Sequence, residues 1–324
     1  MAIKKFNEAI NEALHEEMAR DKTVFTLGED IARFESIFAT CKGLLQKYGP
    51  KRVIDTPISE SAIIGAAVGA AITGLRPIAE LMFIDFTGVC MDQIVNQAAK
   101  IRYMLGGQVS VPMVIRTQGG AGRSFAAQHS QSLEAWFMHT PGIKVVMPST
   151  PYDAKGLLKS AIRDNNPVMF IEHKLMYFIE GEVPDGEYLI PIGKADIKRA
   201  GSDVSLITHS RMVHLCLEAA EKLAKDGINA EVLDLRTISP LDIEAIMTTT
   251  AKTGKVVIVD EGNLTGGVGA EVAARIAENG FENLDAPIKR VAAMDCPMPF
   301  NNKLELFALP SVDKIMAAAK SVME

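Results

Sequence analysis

The sequence predicts an α/β protein built of two doubly wound domains, and three observations carry that expectation. Apolar strands alternate with helical segments along the chain, the pattern of a parallel sheet covered on both faces. A chain of 324 residues is long for one core and suits two. Between Gly181 and Gly193 it becomes rich in Pro, Gly and Glu, which marks a boundary. We therefore expect a first domain over 1–180, a linker over 181–200 and a second domain over 201–324.

The elements follow in order. Ile3, Phe6, Ile10, Leu14 and Met18 have the spacing of a helix over 3–20. A strand over 23–27 leads into Gly28-Glu-Asp30, and residues 31–50 read as a loop and a helix stopped by Gly49-Pro50. A strand over 52–54 precedes a helix over 59–75, and the next strand runs 77–83. A long helix is expected over 86–104, ended by Gly106 and Gly107, then a strand over 111–117. Further strands over 144–147 and 168–172 flank a helix over 151–163. Past the boundary the alternation continues: strands over 203–208, 229–235, 255–260 and 288–293, with helices over 211–226, 241–249 and 267–280 between them.

Hydrophobic content of 48%, charged content of 23% and aromatic content of 6% describe a globular protein with an aliphatic core. The net charge of -6, with Lys and Arg scattered, argues against nucleic acid or an anionic membrane as partner. Cys41, Cys90, Cys216 and Cys296 are widely spaced and read as reduced thiols. The N-terminus enters an amphipathic helix without a signal or transit pattern, so a cytoplasmic protein is expected.

Residues 61–75 are almost wholly small and apolar, which suggests a buried helix with Glu60 at its mouth. An acid in a helix's first turn is favoured by the macrodipole alone. However, Ala62, Gly65, Ala66, Gly69 and Ala70 form a smooth ridge that lets another backbone approach closely, which suggests an interface. A carboxylate there costs several kcal/mol to desolvate unless something pairs with it. His129 has two readings as well. It is a structural histidine, or an imidazole whose tautomer is set by Gln128, Ser130, Gln131 and Ser132. The turn Gly262-Asn-Leu-Thr-Gly-Gly-Val-Gly269 fails the dinucleotide fingerprint because Val272 stands at the third glycine position, which disfavours an NAD-dependent enzyme. No phosphate-binding loop or metal-chelating cluster is evident.

Taken together, Gly28-Glu-Asp30, Asp55-Thr-Pro-Ile-Ser-Glu60, Gly74-Leu-Arg-Pro77, Gln128-His-Ser-Gln-Ser132, Glu134-Ala-Trp-Phe137, Pro148-Ser-Thr-Pro-Tyr-Asp153 and Pro240-Leu-Asp242 carry a family resemblance along essentially the entire chain. The sequence resembles the β subunits of thiamine-diphosphate-dependent dehydrogenases, the first components of 2-oxo acid and acetoin dehydrogenase complexes. Ala79-Glu-Leu-Met-Phe83, Ile171-Glu-His-Lys174, Gly181-Glu-Val-Pro184 and Leu284-Asp-Ala-Pro-Ile-Lys-Arg290 are most similar to the acetoin members, whereas Ala161-Ile-Arg-Asp-Asn-Asn-Pro167 is equally similar to the pyruvate members.

The resemblance implies a transketolase-like pyrimidine-binding domain followed by a transketolase C-terminal domain. It implies thiamine diphosphate shared with an α subunit that holds the diphosphate and Mg²⁺, in an α₂β₂ assembly serving a lipoyl-bearing acyltransferase. Acetoin cleavage, or pyruvate decarboxylation as the alternative, would then pass an acetyl group to the lipoyl arm. A non-catalytic scaffold half is the alternative of another class. By resemblance, Glu60 is the glutamate that hydrogen-bonds the aminopyrimidine and favours its imino tautomer. Phe86 is the aromatic against the pyrimidine, Met82 a neighbouring pocket residue, and His129 the histidine near the reacting carbon and the lipoyl group. A structural K⁺ is implied at Met113, Ala161, Ile162, Asp164 and Asn166, largely through carbonyl oxygens that suit a hard cation. One departure stands out: after Gly28-Glu-Asp30 the loop Ile31–Phe38 is short and lacks the family's glycines.

Overall fold

The computed structural model describes residues 1–324. The chain divides into two compact units, one comprising 1–119 and 136–192, the other 120–135 and 193–324. This differs from the expected division in two respects. Residues 120–135 group with the second unit, and 181–200 is not a bare linker. Its first part forms a strand of the first unit and its last part a strand of the second.

The first unit contains strands β1 (Ala2–Lys5), β2 (Val24–Gly28), β3 (Val53–Asp55), β4 (Arg76–Leu81), β5 (Val114–Gly119), β6 (Lys144–Val146), β7 (Val168–His173) and β8 (Glu180–Val183). Its helices are α1 (Phe6–Arg20), α2 (Leu44–Tyr48), α3 (Glu60–Ile72), α4 (Ile101–Met104) and α6 (Pro151–Arg163), and the short α5 (Glu134–Met138) begins at the unit boundary. The main sheet pairs in the order β6-β7-β5-β4-β2-β3, with every pair parallel. Antiparallel β1 and β8 form a separate ribbon. Phe6, Ile10, Leu14 and Met18 of α1 join Leu157 and Leu158 of α6 over Val24, Ile78, Val114 and Phe170 of the sheet. Thr150 caps α6 by accepting a hydrogen bond from the Asp153 amide, with Pro151 at the first turn.

The segment expected as one long helix winds three ways. Ile84–Cys90 is a 3₁₀ stretch, Asp92–Ala98 a π-helical stretch, and α4 ends the series. Such mid-helix departures from α geometry are a common mark of functional regions.

The second unit holds β9 (Asp196–Arg199), β10 (Val204–Thr208), β11 (Ala230–Asp234), β12 (Thr237–Ser239), β13 (Val256–Asn263) and β14 (Lys289–Ala293), with α7 (Met212–Lys225), α8 (Ile243–Thr253), α9 (Val268–Gly280), α10 (Asn302–Ala308) and α11 (Val312–Ser321). Its five-stranded sheet runs β14-β13-β10-β11-β9, parallel except for the edge strand β9. Met212, Cys216, Ala219 and Leu223 of α7, with Ile315 and Ala319 of α11, pack on Val204, Leu206, Val232 and Val257. No helix is long and apolar enough to cross a membrane.

Candidate active site

In the first unit Glu60, Met82 and Phe86 lie beyond the C-terminal ends of β3 and β4, where open α/β sheets place ligands. Glu60 is the first residue of α3 and is half-buried, and Ser59 makes no side-chain cap in front of it. The start of α3 is tied to the next segment by the Ser61 hydroxyl, which donates to the Val89 carbonyl at 2.9 Å. That segment carries Phe86, half-buried and edge-on to Phe83 with centroids 5.5 Å apart. Met82, also half-buried, follows β4, and its carbonyl accepts a hydrogen bond from Gln118 Nε2 at 2.7 Å. The structure thus brings Glu60, Met82 and Phe86 onto packed neighbouring elements. Their surroundings are acidic. Burial, then the charges of Asp30 and Glu60, push the Glu29 carboxyl up, while burial and Glu60 push the Cys90 thiol up to about 12.

The expected burial of α3 is met on one face only. Ile63, Ile64, Ala67, Val68 and Ala71 are buried, but Ala62, Ala66 and Gly69 of the small-residue ridge are exposed. The reason is geometric: the branched side chains fill the layer against the sheet, and the small ones face away from this chain. Nothing lies within 4 Å of the position a Cβ would take on Gly69.

The glycine-poor loop after Gly28 makes the turns that glycines would make. Asp30, Glu35, Ser36 and Ala39 all adopt left-handed conformations, with φ from 55 to 66°. Side chains hold them there. Asp55 accepts from the Ala32 and Arg33 amides at 2.6 and 3.2 Å, Glu35 from Gly43 N at 3.1 Å, and Asn7 and Asn11 donate to the Phe38 and Thr40 carbonyls, each at 2.9 Å. Phe38 stacks on Tyr177 at 4.1 Å.

Beneath that loop runs a buried charge network the sequence reading missed. Arg116, 2% exposed, donates to Glu80 at 2.7 Å and, through two nitrogens, to Glu172 at 2.7 and 2.9 Å. Tyr177 donates to Glu172 at 2.7 Å, and Ser36 donates to Glu80. Burial raises the Glu172 carboxyl, Arg116 opposes it, and Glu80 adds to the rise. The signal was present in the sequence: a charged residue interrupts each of three apolar strands, Ile78-Ala-Glu80-Leu, Val114-Ile-Arg116 and Phe170-Ile-Glu172.

The five predicted cation ligands lie just before β5, on α6 and in the turn into β7, and their oxygens are already engaged. Met113 O accepts from Val168 N at 3.0 Å and Ala161 O from Asp164 N at 3.2 Å. Ile162 O and Asp164 O both accept from Arg76 Nη1 at 2.9 Å. The Asp164 carboxylate accepts from Lys144 and from Asn166, and against its burial they hold it below its ordinary value. Carbonyls keep a second lone pair, so the oxygen-only chemistry fits a monovalent cation. Yet Arg76 and Lys144 already balance the charge.

In the second unit, half-buried His129 follows the glycine-rich loop Gly120-Ala-Gly-Arg123. That loop is no anion cradle, because the chain fills it. Ala121 N donates to Glu261 at 2.7 Å, and Gly122 N and Ser124 N donate to Glu305 at 2.8 and 2.9 Å. Gln128, Ser130, Gln131 and Ser132 line a cavity of about 700 Å³ together with Asp295 and Cys296. Glu134, two residues on, is buried beside His209 and Asp260, with His209 Nε2 3.8 Å from Glu134 Oε1 and 3.7 Å from Asp260 Oδ1. Burial is the largest influence on both. It raises Glu134, with Asp260 adding to the rise, and opposes the net rise of His209 that Glu134 and Asp260 produce. These three could form a metal triad by proximity. However, both Asp260 oxygens already accept backbone amides, from Gly262 at 2.8 Å and Gly269 at 3.0 Å. The Gly262–Gly269 turn is therefore a close-packed helix entry, as its failed fingerprint suggested. A Cβ on Gly267 would lie 2.5 Å from Asn263 O.

For thiamine diphosphate the residues fit one half of the molecule. A carboxylate and apolar side chains suit an aminopyrimidine; acids at that end and filled amides do not suit a diphosphate.

Comparison with known proteins gives the family. The transketolase pyrimidine-binding domain model matches residues 4–179 and the transketolase C-terminal domain model residues 193–315. The β subunit of acetoin:2,6-dichlorophenolindophenol oxidoreductase from Cupriavidus necator is 52% identical, covering 98% of this chain and 96% of its own length. The 2-oxoisovalerate dehydrogenase β subunit of Bacillus subtilis is 51% identical over the full length of both. The mitochondrial pyruvate dehydrogenase E1 β subunit of Bos taurus is 50% identical, covering 98% of this chain and 89% of its own. A split-gene transketolase in an inactive β4 tetramer has the same fold, with TM-score 0.81 at 23% identity over 98% of this chain and 97% of that one. The chain belongs to the transketolase-like β subunits of the thiamine-diphosphate-dependent first components of acetoin and 2-oxo acid dehydrogenase complexes.

Proposed function

We propose that this β subunit serves an acetoin dehydrogenase component, cleaving acetoin and passing the acetyl fragment to the lipoyl group of an acyltransferase. The observation that carries the reading is Glu60, a half-buried carboxylate at the head of α3 against the Phe86 segment, in a chain whose loop amides are closed to a diphosphate. An α subunit would then hold the diphosphate and Mg²⁺, and the open ridge of α3 suits a partner helix, as in an α₂β₂ assembly. Pyruvate is the second reading, favoured by the 50% identity to a pyruvate dehydrogenase β subunit.

When bound, thiamine diphosphate supplies a nucleophilic carbon and an electron sink. Glu60 would accept a hydrogen bond at the pyrimidine ring nitrogen and hold a proton there. Met82, its carbonyl fixed by Gln118, and Phe86 would pack the ring and exclude water. His129 would give a proton during transfer to the lipoyl group. K⁺ at the turn carrying Ile162 and Asp164 would brace α6 against β7, adding to Arg76 and Lys144. An increase in melting temperature with KCl but not NaCl is the expected sign, and equal curves would remove the site.

The test of substrate is the product from the assembled α/β pair with a dye acceptor. Acetaldehyde without CO₂ is expected. CO₂ without acetaldehyde would transfer the assignment to pyruvate, and activity that survives loss of both Glu60 and His129 would leave only a scaffold role.

A further inference from the structure

We infer that Glu305 is a positioning residue for the loop that carries His129, holding it through two backbone amides from a helix far along the chain. The inference rests on the role proposed for His129.

Glu305 is 0% exposed and pairs with no cation. Its two carboxylate oxygens accept from Gly122 N at 2.8 Å and Ser124 N at 2.9 Å, across 183 and 181 residues of sequence. A buried carboxylate without a counter-ion persists only where donors compensate it fully. Here both donors belong to one loop, so the carboxylate and the loop stabilise each other.

The loop needs such an anchor. Between residues 120 and 126, Gly120, Gly122, Ser124 and Ala126 all have positive φ, from 56 to 101°, and no regular ladder fixes that path. The His129 amide donates to Ala126 O at 3.4 Å, so the turn at Ala126 carries the path of the loop on to His129. Glu261 supplements the clamp at Ala121 N. Removing Glu305 would therefore free the backbone that sets where His129 begins, without touching Glu60.

The test uses the reconstituted α/β assembly carrying Glu305→Gln, which keeps the side-chain shape but only one acceptor oxygen. Hydrogen exchange of the 120–125 amides should quicken about ten-fold, the factor of one net hydrogen bond. The rate of lipoyl acylation should fall ~10–100-fold, as for a displaced catalytic group, while substrate KM, cofactor Kd and the dye-coupled half-reaction stay unchanged. Should Glu305→Gln not fold, Glu261→Gln gives the same readouts at Ala121. Unchanged loop exchange, or both half-reactions falling together with the melting temperature, would overturn the inference. If His129→Ala leaves acylation intact while loop exchange still quickens in Glu305→Gln, the clamp stands and the role of His129 fails instead.

Discussion

Gly69 gives a prediction whose sign differs between the lone chain and its assembly. It lies inside α3, exposed, with nothing within 4 Å of a built Cβ. Replacing it with Ala removes a helix-interior glycine, a gain of ~1 kcal/mol. For a domain of this size that raises the melting temperature by about 2–4 °C. At a close helix contact, by contrast, the added methyl group overpacks the ridge. That costs ~1–3 kcal/mol, or about 5- to 150-fold in affinity for the α subunit. Calorimetry of the lone chain and titration against the α subunit read the two terms separately. If Gly69→Ala stabilises the chain and assembles normally, the ridge is not the contact. A lower melting temperature would mean the position is not open at all.

The remaining predictions concern charge. Glu60→Gln should retain cofactor binding by the assembly but lose most turnover, and steady-state kinetics with near-normal kcat would refute its role. His129→Ala should depress lipoyl acylation more than the dye-coupled reaction; equal losses in rapid-quench measurements would leave it architectural. Arg116→Met strands Glu80 and Glu172 without their cation and should cost ~3–5 kcal/mol in urea denaturation, because breaking a buried pair leaves uncompensated charge. Glu134 and His209 both have folded pKa values raised above 4.5 and 6.5, so the native protein binds more protons than the unfolded chain. The stability they add is full below those ordinary values and is lost as pH climbs through the raised ones. His209→Gln should flatten the fall in melting temperature above pH 6.5, and a curve parallel to wild type would contradict the shift.

Much of the fold was legible because its parallel strands are buried on both faces and written in Val, Ile and Leu, as in Val256-Val-Ile-Val259. Elements held by backbone pairing alone were not. β8 reads Glu180-Gly-Glu-Val183 and becomes a strand only by pairing with β1. The segment 84–104 has helical spacing, but spacing does not distinguish 3₁₀ and π windings from α. Within the site, Glu60 showed itself through its context, an acid opening an apolar helix. Glu305 could not. In Asn301-Asn-Lys-Leu-Glu305-Leu it looks like any surface helix acid, and what buries it are amides some 180 residues earlier. Long-range partners of this kind leave no local pattern.

The distribution of anions within each unit supports the proposal that a second polypeptide holds the diphosphate. In α/β folds a diphosphate is normally received by glycine-rich loops and helix N-termini. Here the chain closes several of these with its own oxygens. Glu261 and Glu305 fill the amides of the 120–124 loop, and Asp260 takes Gly262 N and Gly269 N at the head of α9. Thr150 caps α6, and α3 opens on Glu60, with Glu29 near enough to be raised by its charge. A diphosphate at any of these would have to displace a carboxylate or sit against one, at a cost that grows as water is excluded. A polarised ring nitrogen meets the opposite situation, since an unsatisfied carboxylate is what it needs. The acidity at the head of α3 thus suits a ring nitrogen better than a diphosphate, which is the division of labour proposed above between this chain and an α subunit.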